Sequence, residues 1–139
     1  MSASGEIRVL IVDDSPTMRN LLKRALGEGG YRVVEAGSGP EGLRRLGSEP
    51  IDLILSDVNM PVMDGFAFVE AVRGEASSRH IPVLFLTTED APETIRRGKA
   101  LGANGWIVKP FQPEQLRAVV ATVLARRRPQ GSAALPPGA

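Results

Sequence analysis

The chain has 139 residues, no cysteine, and 42% hydrophobic and 24% charged side chains, the size and make-up of one globular domain without disulfides, Cys-ligated zinc or thiol chemistry. Its 17 Lys and Arg nearly cancel its 16 Asp and Glu, for a formal net charge of +1, so no bulk field draws it to nucleic acid or to a membrane surface. The amino terminus, MSASGEIRVLIVDD, lacks the charged-then-apolar order of a secretion signal, and no apolar run nears the ~20 residues of a bilayer span; no nucleic-acid binding and no membrane insertion are expected, and a cytoplasmic location is.

Residues 1–5 read as a disordered start, and the folded unit is expected over 6–125. Five runs rich in Val, Ile and Leu recur in it: RVLIV (8–12), YRVVEA (31–36), IDLILS (51–56), VLFLT (83–87) and WIVK (106–109). Four are nearly continuous in apolar residues, the pattern of parallel strands covered on both faces. The first runs straight into Asp13 and Asp14, adjacent like charges that destabilise a fold unless something compensates. Ser15 then fits an N-cap and Pro16 the first helical position. Met18, Leu21, Leu22, Ala25 and Leu26 follow an amphipathic helical stripe, which Gly27, Gly29 and Gly30 end.

After the second run, Ser38 or Gly39 can cap a helix that starts at Pro40. His80, the single histidine, falls in the loop before the fourth run and reads as a solvated turn residue. The segment APETIRRGKALGA (91–103) predicts a fourth helix with a weak apolar stripe (Ile95, Leu101) and a free outer face. Pro113 opens the last helix, with Leu116, Val119, Val120, Val123 and Leu124 on one side. Strand and helix alternating five times predicts an α/β domain with a parallel sheet. Residues 126–139, RRRPQGSAALPPGA, read as a flexible tail whose arginines suit the negative end of a helix dipole.

In an open parallel sheet the ligand site lies at the carboxyl ends of the strands. Asp13 and Asp14, Asp57, Thr87 and Lys109 all fall there. Three carboxylates in one crevice call for a cation, and all-oxygen ligation favours Mg²⁺ or Mn²⁺. Such a site with open coordination positions suits a phosphoryl group, whose oxygens Thr87 and Lys109 could hold opposite the metal. Lys109 is one of three lysines among 17 cationic residues, a compact point charge kept where arginine is otherwise the rule. Carboxylates can serve as phosphoryl acceptors. Asp57, alone in the middle of the edge, is the expected one.

The motifs VDDS (12–15), SDVNMPVMDG (56–65), LTTE (86–89) and WIVKPF (106–111) resemble the CheY-like receiver domain of bacterial two-component response regulators. The resemblance implies a flavodoxin-like five-stranded parallel sheet in the order 2-1-3-4-5, flanked by five helices. It implies that Asp57 takes a phosphoryl group from a sensor histidine kinase, with Mg²⁺ held by Asp14, Asp57 and the Asn59 carbonyl and reached by Asp13 through water. Thr87 and Lys109 would bind phosphoryl oxygens, and the bond before Pro110 would be cis. Asp64 and Gly65 would form the turn into the third helix, while Asn59 and Glu89 would tune hydrolysis of the acyl phosphate. Two positions depart from the pattern. Trp106 stands where the family's aromatic switch residue is tyrosine or phenylalanine, and Thr88 where a small residue is usual.

The resemblance makes the chain a phosphoacceptor that catalyses only its own phosphorylation and dephosphorylation. Its output would be a downstream protein bound through the fourth helix, fifth strand and fifth helix by a monomer. The flagellar motor switch of chemotaxis is the first expectation for that partner. A phosphorelay intermediate serving a histidine phosphotransfer protein and the receiver of a truncated regulator are the alternatives. Gly37, Gly39 and Gly42 also spell G-x-G-x-x-G, the rival dinucleotide-binding reading, although Pro40 removes a backbone donor from that loop. A scaffold that never receives phosphate is a third class, disfavoured because all five chemical positions are filled.

Overall fold

The computed structural model describes residues 6–88 and 91–126; the expectations for residues 1–5, Glu89 and 127–139 lie outside the described residues. Ten elements alternate along the chain: β1 (Arg8–Val12), α1 (Pro16–Glu28), β2 (Arg32–Ala36), α2 (Gly39–Ser48), β3 (Leu53–Asp57), α3 (Gly65–Gly74), β4 (Val83–Thr87), α4 (Pro92–Ala100), β5 (Gly105–Val108) and α5 (Pro113–Arg126). All strands are parallel, in the order β2-β1-β3-β4-β5, as the motif resemblance implied. The third strand starts two residues later than the apolar run predicts. The Asp52 carboxylate takes the Arg8 N–H at 2.8 Å, so Asp52 ties down the start of β1 from outside the third strand.

Side chains alternate across the sheet and feed two separate cores. Leu10, Val12, Ile54, Val83 and Phe85 pack with Phe66, Phe68, Val69 and Val72 of α3. Val9, Ile11, Leu53, Leu55, Leu84 and Leu86 pack with Leu22 and Leu26 of α1 and Leu116 and Val120 of α5. Each fully buried aliphatic or Phe side chain contributes about 1.5–3 kcal/mol, so the central strands form a rigid base for whatever stands at their ends. The α1 stripe is narrower than its spacing predicts, because Leu21 is 53% exposed while Leu22, Ala25 and Leu26 are buried.

Helix starts follow the expected chemistry. Ser15 Oγ accepts the Met18 N–H ahead of Pro16, and Asp64 Oδ1 accepts the Ala67 N–H at the head of α3. Gly65 sits so close to the end of β3 that any side chain there would strike the Asp57 carbonyl and the Val58 backbone. Helix α4 is different. It has no side-chain cap, and Gly98 is its single buried residue.

Candidate functional site

The acid and ammonium groups are delivered by the sheet itself. Asp57 is the last residue of β3, Asp13 follows β1 directly, and Lys109 follows β5 directly. By the two-residue alternation of a strand, these three continue the rows of Leu55, Ile11 and Ile107, on the α1/α5 side. Thr87, the fully buried last residue of β4, continues the row of Val83 and Phe85 on the α3 side, where Trp106 also packs.

The geometry is tight. Carboxylate oxygens of Asp13, Asp14 and Asp57 all lie within 4.8 Å of one another. Lys109 Nζ stands 3.4 Å from Asp13 Oδ2 and 3.5 Å from Asp57 Oδ1. Asp13 is fully buried and its Oδ1 accepts the Ser15 N–H at 2.9 Å. Asp57 is 6% exposed and accepts the Asn59 N–H at 3.3 Å. Burial pushes the Asp57 carboxyl above the usual aspartate range and the Asp13 charge adds to the rise, while Lys109 pulls the other way. The Lys109 ammonium pairs with two of the three clustered carboxylates, Asp13 and Asp57. A divalent cation fits that deficit, and a set of carboxylate oxygens with one edge open to solvent at Asp14 is the donor chemistry that Mg²⁺ takes.

The remaining predicted positions surround this core. Asn59 and Thr88 are exposed at the rim. The Lys109–Pro110 peptide is cis. His80 is exposed in the α3–β4 loop, away from the cluster. Trp106 is half-buried, edge-on to Phe85 with ring centroids 5.3 Å apart, and Phe85 in turn meets Phe66 at 5.4 Å. A Cβ on Gly98 would stand 2.5 Å from Trp106 Cζ3. The large indole therefore fits because α4 presents a glycine to it, a pairing that spacing within the sequence gives no hint of.

The glycine-rich loop is closed by its own side chains. Ser38 Oγ accepts the Glu41 N–H at 3.2 Å, and Glu41 Oε1 takes the Gly37 N–H at 2.8 Å, an arrangement close to a capping box. Met63 covers Gly39, and Phe68 and Val12 crowd Gly42. The Gly37 and Glu41 N–H groups that a pyrophosphate would need are occupied and Pro40 has none to give, which counts against the dinucleotide reading.

One group near the site was assigned no role from sequence. Arg19 Nη1 donates to the Asp13 carbonyl at 2.6 Å while its Nε donates to Glu35 Oε1 at 3.1 Å, and Lys23 Nζ reaches Glu35 Oε2 at 3.0 Å. These contacts span α1, the β1–α1 turn and β2, which no local pattern reveals.

Comparisons with known proteins bear on the family and the fold. Residues 9–121 match the family model of the response regulator receiver domain. A probable chemotaxis protein CheY from Rhizobium etli is 38% identical over 124 residues, covering 88% of this chain and 96% of the relative. The solved structure of the chemotaxis protein CheY4 of Vibrio cholerae superposes with a TM-score of 0.83 at 46% identity, over 86% of this chain and 99% of its own. The receiver domain of a sensor histidine kinase from Pseudomonas aeruginosa, solved with magnesium coordinated in its active-site cleft, superposes with a TM-score of 0.80 at 25% identity, over 87% and 99%.

Proposed function

Since the chain belongs to the response regulator receiver family, whose members are phosphorylation-activated signalling switches, we propose that Asp57 is its phosphoryl acceptor. The carrying observation is the buried Asp57 carboxylate, held at the centre of the strand ends between Asp13 and the Lys109 ammonium. A carboxylate oxygen of Asp57 forms the new O–P bond with a phosphohistidine of a sensor kinase. The P–N bond breaks, its electron pair returns to the imidazole nitrogen, and that nitrogen takes up a proton.

Asp13, Asp14, Asp57 and the Asn59 carbonyl are the groups that would hold Mg²⁺, which when bound offsets charge developing on the phosphoryl oxygens. Lys109 supplies a fixed positive charge on the opposite side. Its ammonium, already within 3.5 Å of Asp57 Oδ1, stabilises a transferred phosphoryl oxygen. Thr87, at the end of β4, donates its hydroxyl to a second oxygen. That new hydrogen bond draws on the row it shares with Phe85 and Trp106. Asn59, Thr88 and Glu89 govern how water reaches the acyl phosphate.

The protein acts in the cytoplasm as a monomer and presents α4, β5 and α5 to a downstream protein. The outward residues of α4, including Glu93, Arg96 and Lys99, are exposed, which leaves that face open to a partner. The chemotaxis relatives favour a motor-switch target over a phosphorelay protein.

The test is labelling with acetyl phosphate in the presence of Mg²⁺, read by intact mass. Wild type gains one phosphoryl group that hydroxylamine removes. Asp57→Asn gains none and keeps its circular dichroism spectrum. Stable labelling of Asp57→Asn at another residue would overturn the assignment.

A further inference from the structure

The metal ligand set contains one side chain with no support of its own. Asp14 is exposed, and its carboxylate takes no hydrogen bond or ion pair among the described residues. Its aim is set by its backbone. The peptide that joins Asp13 to Asp14 begins at a residue gripped on both sides. The Asp13 N–H donates to the Ala36 carbonyl of β2 at 3.1 Å. The Asp13 carbonyl, which lies in the same plane as the Asp14 N–H, accepts from Arg19 Nη1 at 2.6 Å.

Arg19 is itself fixed. Its Nε bonds to Glu35 on β2, and Glu35 is shared with Lys23 of α1. The Lys23 bond, and beside it Arg19, holds the Glu35 carboxyl below the usual range against the opposing effect of burial. The guanidinium lies under the Gly37 backbone, where an added Cβ would come within 3.3 Å of Nη1. An arginine can do this because its planar fork serves two acceptors at once. We infer that Arg19, braced by Glu35, is a positioning residue for Asp14, fixing the peptide plane from which that ligand reaches a divalent cation. The inference rests on the magnesium reading given above.

The sign of the effect separates positioning from charge. Removing a cation beside a metal site relieves repulsion and so tightens binding of Mg²⁺. Loss of a positioning contact weakens it, by about tenfold where such supporting contacts have been removed from other metal sites.

The experiment is calorimetric titration of the full chain with Mg²⁺ alone, after treatment with EDTA, under conditions where each variant is folded by circular dichroism. Arg19→Met is expected to bind Mg²⁺ about tenfold more weakly than wild type. Gly37→Ala, which crowds the guanidinium without removing it, shifts affinity less in the same direction and stands in if Arg19→Met does not fold. Arg19→Met, or Gly37→Ala in its place, binding as tightly as wild type or more tightly overturns the inference, provided Asp14→Asn has lost affinity. Wild type that binds no Mg²⁺, or Asp14→Asn that binds like wild type, overturns the metal reading and this inference with it.

Discussion

Gly98→Ala turns the contact between α4 and the indole into a measurable energy. Alanine is about 1 kcal/mol better than glycine inside a helix, so at an open position this substitution stabilises. Here the new Cβ would stand 2.5 Å from Trp106 Cζ3 and 3.3 Å from two Phe85 ring atoms, whereas carbon atoms settle at about 3.5–4.0 Å. Relief requires the indole to move by about 1 Å, at an overpacking cost of about 1–3 kcal/mol. Wild type should therefore lose about 1 kcal/mol net on Gly98→Ala. In a Trp106→Ala background the tightest contact is gone and Phe85 has space beside it to give by the few tenths of an ångström it needs, so the same substitution gains up to about 1 kcal/mol. The coupling is then up to about 2 kcal/mol, well inside the range seen for residues in contact. Urea unfolding followed by far-ultraviolet circular dichroism measures all four corners of the cycle. The emission of Trp106, the only tryptophan, should shift to the red as the added methyl pushes the indole toward water. Equal stabilisation in both backgrounds, with no emission shift, would refute the packing argument.

Three further outcomes follow from the same structure. Val62 is fully exposed at φ 71°, a left-handed conformation that a β-branched residue adopts only under strain. Val62→Asn should raise the urea midpoint by about 1 kcal/mol of stability, and an unchanged midpoint would show that the turn stores none. Arg73 donates to the carbonyls of Arg79, Ile81 and Gly102 and to Asn104 Oδ1, with burial lowering its pKa. Arg73→Ala should cost about 3 kcal/mol, and Arg73→Lys should recover little because an ammonium cannot span acceptors from both loops. Burial and the Asp13 charge raise the Asp57 pKa in the folded protein, so the folded state holds that proton more tightly than the unfolded chain does. Stability from this group is therefore lost as pH rises through the folded-state pKa. In EDTA, Asp57→Asn should be the more stable protein at neutral pH, with the gap closing on acidification; a gap independent of pH would contradict the shift.

Much of this site was legible from residue type and position. Continuous apolar runs announced buried parallel strands, and whatever polar residue ended each run had to meet the others on one edge. Asp13, Asp57, Thr87 and Lys109 could be assembled that way without a structure. The strand order came from the family resemblance, since periodicity does not order a sheet. What stayed hidden depends on contacts distant in sequence. Gly98 matters only because Trp106 lies against it, and Arg19 only because Glu35 comes alongside from β2. The glycine-rich loop misleads for a related reason, since its meaning depends on where Glu41 and Met63 place their side chains.

The sheet also divides the labour of the site between its two faces. Asp13, Asp57 and Lys109 belong to rows that back onto α1 and α5, whereas Thr87 shares its row with Phe85 and Trp106 beneath α3 and α4. Of the proposed phosphoryl-binding groups, Thr87 stands in the row that leads to Trp106, while Lys109 stands in the row that leads to α5. The proposed output face takes in both α4 and α5, so a partner that covers it touches elements from both layers of the sheet at once.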